Sequence, residues 1–225
     1  MNLKFFFLLF SSIYILASCE SNNSEINFEK SVLKEIFPKL IDSFQLGVGI
    51  VPPPPPIPIF DENDSVIGVD NAGQVEMWKK YKIKKAELEA DTTKKVLAVY
   101  DTIYEIDGRV NYQLQRHFES FNLKIDSVYK EAYRINLFQI NSYKNLKYKY
   151  RSEFPEGTLI WRENYDFPFV GIVRFSRISF DKSKKFGIME GSFLCGLKCG
   201  FTGTIFIRLE NNVWLIDDII VTSIS

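Results

Sequence analysis

The sequence predicts an α+β fold, with N-terminal helices followed by a C-terminal antiparallel β-meander. Two observations carry that prediction. Val32, Ile36, Leu40 and Phe44 recur every four residues, with Leu33, Phe37 and Ile41 beside them, which is the apolar stripe of a helix. From Val96 onward the period shifts toward two, and the last fifty or so residues break into apolar runs separated by short polar turns.

The elements follow in order. Phe28 to Phe44 reads as a helix, and Pro38 inside it predicts a kink or a division into two short helices. Pro52 to Pro56, then Ile57-Pro58, must be extended, because each proline fixes φ and excludes helix. The run could serve an aromatic groove as a ligand; a stiff spacer or a strip packed on the domain surface accounts for it more simply. Asp61 to Gly73 is rich in turn residues and acids but lacks the ligand spacing of a calcium loop, so it reads as an exposed loop. Val75 to about Ala90 reads as a helix whose five lysines between Lys79 and Lys85 make a solvated face rather than a lipid-binding one, since Glu87, Glu89 and Asp91 follow closely.

Val96 to Ile106 is strand-like, and Val110 to Phe121 leans toward helix. Arg134 to Ile140 alternates poorly. Leu146 to Tyr150 alternates cleanly between aromatic or aliphatic and basic residues, as an amphipathic strand does. Four strands complete the chain: Ile172 to Phe180, Phe186 to Leu194, Phe201 to Leu209 and Val213 to Val221. Trp214, Ile216 and Ile219 should face the core, opposite Phe206 and its neighbours. Asp217-Asp218 breaks the alternation and predicts a bulge, because an unpaired Asp is costly to bury.

Composition narrows the function classes. The chain has 225 residues, 46% hydrophobic and 25% charged, with 20 Phe and 11 Tyr, enough for one domain with a dense aromatic core. The formal net charge is +0, which gives no support to a nucleic-acid partner. His117 is the lone histidine, and no cysteine, histidine or carboxylate spacing suggests a metal site or a cofactor. No catalytic constellation stands out. Glu153, Glu156, Glu163 and Asp166 cluster around Trp161, which would suit glycoside hydrolysis but reads more simply as loop acids capping turns beside a core tryptophan.

The N-terminus has the three parts of a secretory signal: Lys4, an apolar stretch from Phe5 to Leu16, and the small residues Ala17 and Ser18. The apolar stretch is shorter than the roughly 20 residues a membrane span needs. Leu16-Ala17-Ser18-Cys19 resembles a bacterial lipoprotein signal, and that resemblance implies cleavage before Cys19 and lipid attachment at its sulfur, palmitate included. The expected organisation is a signal peptide over 1–18, a flexible tether over 19–27, a helical region with the proline-rich segment over 28–95, and an antiparallel sheet domain over 96–225. With Cys19 used as anchor, Cys195 and Cys199 remain. An even pair at a strand turn in an exported chain reads as a structural disulfide.

The later motifs extend the likeness. Phe175-Ser176-Arg177-Ile178-Ser179-Phe180-Asp181-Lys182, then Cys195 to Gly200, then Asn211-Asn212-Val213-Trp214 are similar to the late motifs of a group of uncharacterised Gram-negative lipoproteins. The likeness covers mainly Gly171 to Ile219 and implies no activity. The function expected is that of a lipid-anchored envelope lipoprotein, held to a membrane (the outer membrane before the inner) through Cys19, with its domain in the periplasm or at the cell surface. It would act as a non-enzymatic binding or assembly component for an envelope protein or glycan. An envelope hydrolase acting on glycans and a small-molecule cavity protein are the alternatives. A groove would favour the first reading, two convergent acids in a pocket the second, and an apolar pocket the third.

Overall fold

The computed structural model describes residues 3–44, 54–125, 131–143 and 145–225, and of residues 3–23, 88 and 89 the backbone alone. Helix α1 (Leu3–Phe44) runs unbroken through Pro38. The alternative of two short helices is therefore not seen. Phe37 and Leu40 on either side of the proline are fully buried, so packing holds the helix where one intrahelical bond is lost. The tether expected over residues 19–27 is likewise helical. Its last turns have partners on the domain, with Glu25 3.9 Å from Lys184, and Phe28 against Phe180 and Trp214 at ring-centroid distances of 5.1 and 6.4 Å.

After α1 come a small hairpin, β1 (Pro58–Phe60) with β2 (Val66–Val69), and helix α2 (Asn71–Ala90). The loop expected over Asp61–Gly73 is thus a turn, a strand and the start of a helix. Asp61 closes the turn by accepting from the amides of Asn63 and Ser65, and Asp70 caps α2 through the amides of Ala72 and Gly73. The proline strip docks on α2: Gln74 accepts from the Ile57 amide at 3.1 Å and donates to the Pro54 carbonyl. Pro52 and Pro53 lie outside the described residues.

The sheet is mixed rather than wholly antiparallel. Its strands are β3 (Lys95–Val99), β6 (Leu146–Tyr150), β7 (Phe169–Phe175), β9 (Phe186–Gly196), β10 (Cys199–Glu210) and β11 (Val213–Ile224), in the order β11-β10-β9-β7-β3-β6, with β8 (Ser179–Phe180) on the side of β9. β3 pairs parallel to both β6 and β7, and the rest is antiparallel. The long strand expected over Val96–Ile106 divides into β3 and the short β4 (Thr102–Ile103), which pairs with β5 (Tyr133–Arg134). Ile172–Phe180 divides into β7 and β8. Helix α3 (Val110–His117) lies where the helical reading placed it.

α1 lies across one face of the sheet, called inner here. Seven of its side chains, from Val32 to Phe44, join Leu97, Val173, Phe175, Phe193, Ile205 and Trp214 in the main core. Each such burial contributes about 1.5–3 kcal/mol. The outer face carries two smaller clusters. One is built by α3 on Ile188 and Phe206, the other by Phe154 and Ile160 on Val96, Ala98 and Ile172. Trp214, 5% exposed, faces inward as expected, but its face is shared with Ile205 and Ile207, and Phe206 points to the opposite side. The expected bulge is present: Phe206 pairs with Asp218 and Ile207 with Ile216, leaving Asp217 unpaired across the ladder.

α1 is fixed at two polar points. At the first, the Glu29 carboxylate, 3% exposed, accepts from the Arg177 guanidinium at 2.6 and 2.7 Å and from the Ile178 amide at 3.0 Å. Burial pushes the Glu29 carboxyl upward, against the pull of Arg177, the Ile178 amide and Tyr133. Further along, Glu35 accepts from the Trp214 amide at 2.7 Å and Lys39 donates to the Trp214 carbonyl at 2.5 Å. These bonds occupy the outer edge of β11 at Trp214, where an edge strand would otherwise present bare backbone groups.

Candidate binding groove

α1 reaches its described end at Phe44, while β9, β10 and β11 continue past it. Phe44 stacks on Phe175, with centroids 5.6 Å apart, and meets Phe201 edge-on at 5.1 Å. Gly191 permits that approach, since a Cβ there would stand 2.7 Å from the Phe44 ring. Beyond Phe44 the inner face of the meander is left uncovered by the described residues. It forms a concave apolar groove of about 720 Å³, floored by Phe193, Phe201, Ile216, Ile219, Val221 and Ile224. Val221 is 49% and Ile224 81% exposed, unusual for inward-facing residues of a strand. The inward side of β11 therefore changes along its length from core at Trp214 to open surface at Ile224.

The disulfide forms one end of this groove. Gly196 pairs with Cys199 and Leu194 with Gly200, so Cys195 is the bulged residue of the β9–β10 turn. Its sulfur bridges to Cys199, with Cα atoms 5.1 Å apart. Lys198, on the same turn, contributes the groove's positive charge. The acids lie at the other side. Asp217 is matched by Arg208 at 3.1 Å and by His117 at 2.7 Å, whose ring stacks on Phe206. Asp218 accepts from the Ile219 amide at 2.8 Å. The groove thus has a basic end, an apolar floor and an acidic margin.

The other sequence candidates lie elsewhere. Cys19 falls where the backbone alone is described, and it is helical there. Glu153, Glu156, Glu163 and Asp166 are all exposed and line no part of the groove. Glu153 caps a turn by accepting from the Tyr150 amide at 2.7 Å, and Trp161 packs on Phe169 in the outer aromatic cluster. A polar strip on the outer face engages its own members. Arg174 sits 4.1 Å over the Tyr104 ring, and the Tyr104 hydroxyl, pushed up to about 12 by burial and by Glu190, donates to Glu190 at 3.4 Å. Among the described residues, no group of three metal-ligating side chains converges, and no helix is long and apolar enough to cross a membrane.

Sequence reasoning found the disulfide and the inward register of β11 but missed the groove. The available signal was length. The inward positions of β11 stay apolar from Trp214 to Ile224, while the helix that covers this face has its last described apolar position at Phe44. No protein-family model, curated protein or solved structure matches this chain.

Proposed function

We propose that this protein is a lipid-anchored envelope lipoprotein acting as a non-enzymatic binding component, and that the groove past the end of α1 is where it binds. The groove is the observation that carries the reading. A volume of about 720 Å³ lies within the ~300–1,000 Å³ typical of ligand sites. Its floor is apolar, and its charged groups lie at the margins rather than converging on a reacting centre. That arrangement suits retention of an apolar partner. The envelope hydrolase is the weaker reading, because the four acids on which it rested are exposed and separate from the concave surface.

Anchoring at Cys19 is supported by the Leu16-Ala17-Ser18-Cys19 run alone. The same run supports a location at the membrane of the cell envelope, with the domain in the periplasm or on the cell surface. A single acyl chain holds only marginally, so stable attachment would require the two or three chains of a fully modified cysteine.

The test uses the intact protein. Envelopes are crosslinked, the chain is recovered, and bound material is identified by mass spectrometry, for wild type and for Val221→Asp. Val221 is half exposed, so the substitution should leave the fold intact while placing a charge on the groove floor. A protein, glycan or small molecule recovered with wild type and lost with Val221→Asp supports the reading; equal recovery from both contradicts it. Cys19→Ser in parallel should move the chain from the membrane to the soluble fraction. A wild-type protein that is equally soluble, with an unmodified N-terminus, would contradict the anchor.

A further inference from the structure

Resting on the binding reading above, we infer that the groove takes an anionic single-chain amphiphile, its acyl chain along the floor and its acidic head at Lys198. The argument is one of charge placement on an apolar surface. The floor, from Phe193 and Phe201 to Ile219, Val221 and Ile224, offers a long chain aliphatic and aromatic contact, with the side chains of Ser43 and Ser225 in the same lining. Among the described residues Lys198 is the only cation in the lining, and it stands on the turn at the disulfide end. No ion pair or side-chain hydrogen bond engages it among the described residues, so its ammonium is available to a ligand.

The acids set the direction. Asp217 lies 3.1 Å from Arg208, which also reaches Glu210 at 3.3 Å, and 2.7 Å from the His117 ring. Asp218, exposed and tied to the neighbouring amide, leaves negative potential along the β11 margin. A carboxylate, sulfate or phosphate head would be repelled there and attracted at Lys198. A cationic head would take the opposite orientation and leave Lys198 facing apolar tail. A neutral chain would make no use of the Lys198 charge, which is exposed on its turn. The anionic head is the one for which both ends of the groove are matched. The size agrees as well, since about 720 Å³ lies within the range of ligand sites.

The probe is cis-parinaric acid, whose polyene fluoresces on leaving water, titrated into the purified full chain carrying Cys19→Ser in detergent-free buffer. Palmitate, shorter saturated acids and hexadecanol serve as competitors. Saturable binding is expected, weakening about four-fold for each methylene removed from the competing acid. Lys198→Glu should weaken the acids about ten-fold while leaving hexadecanol unchanged. Val221→Asp should abolish binding of both acid and alcohol. Ile220→Asp, on the outer face of the same strand, should change neither. Equal melting temperatures for the variants show that none has simply unfolded.

Absence of saturable uptake by wild type overturns the inference, as does uptake indifferent to Val221→Asp. An alcohol that competes as well as the acid, with Lys198→Glu without effect, overturns the assignment of the head. A concentration-dependent dimer that Val221→Asp dissociates would put a second copy in the groove and overturn it too. The binding reading fails separately. If crosslinked envelopes yield a protein or glycan partner lost with Val221→Asp while no amphiphile binds, that reading stands and this one falls.

Discussion

Trp214 links the helix to the sheet. Its ring packs 5.6 Å from Phe180 and 6.4 Å from Phe28, while its own backbone is held by Glu35 and Lys39 of α1. Truncating it removes a buried aromatic and leaves a cavity that α1 cannot close without losing those bonds. Trp214→Ala should therefore destabilise by roughly 3–5 kcal/mol, read as a large drop in melting temperature. An unmoved melt would mean that the ring is not core. Asp181 is a second anchor, of another kind. One of its carboxylate oxygens accepts from the amides of Lys185 and Phe186, and the other from the amide and hydroxyl of Ser183, so it closes the β8–β9 turn. Desolvation pushes this carboxyl up, but those hydrogen bonds outweigh it and the net direction is down. A carboxyl lowered in the folded state adds stability above its unfolded pKa of roughly 3.9, and that stability is lost as pH falls through the folded value. Asp181→Asn should cost about 1–3 kcal/mol at neutral pH. The difference from wild type should shrink in melts taken below about pH 4. A gap of constant size down to acid pH would contradict the role.

The elements were legible in the sequence to different degrees, for physical reasons. The three long C-terminal strands were readable because each pairs with its neighbour in sequence across a tight turn, Asn211-Asn212 in one case and Leu197-Lys198 in the other. Asn211 and Asn212 both adopt positive φ, as the turn between β10 and β11 requires. β3, β6 and β7 were harder, since parallel partners are separated by long connections and local period says nothing of strand order. The start of α2 was missed because its cap, Asp70, sits in a run of acids that reads as loop. The extent of α1 was missed because residues 20–27 lack an apolar stripe; their helix continues one nucleated by the buried residues that follow. This makes α1 an integral element of the domain rather than an appendage. A chain starting at residue 24 should keep a cooperative melt. One starting at residue 45 should lose it, because the inner face from Leu97 to Trp214 would be stripped of seven buried partners. Circular dichroism across a thermal ramp distinguishes the two, and a cooperative melt in the shorter chain would refute the role given to α1.

At the scale of the whole molecule, the groove arises from a mismatch of lengths. Among the described residues, the helix that covers the inner face has its last core contact at Phe44, while the meander beneath it continues to Ile224. Neither element shows the site by itself, which is why local patterns in the sequence did not reveal it. The same geometry gives one strand two roles. At Trp214, β11 is core and its edge is covered by α1; near Val221 it is an apolar floor that no described residue covers. If this stretch is the binding surface, a ligand or partner lies against Val221 in the cell. A photoreactive benzoylphenylalanine is placed at Val221, or as a control at exposed Tyr112 on α3, and the intact protein is irradiated in living cells. A discrete adduct is expected from position 221 and none from position 112. Adducts from both positions alike, or from 112 alone, would contradict the groove as the binding surface.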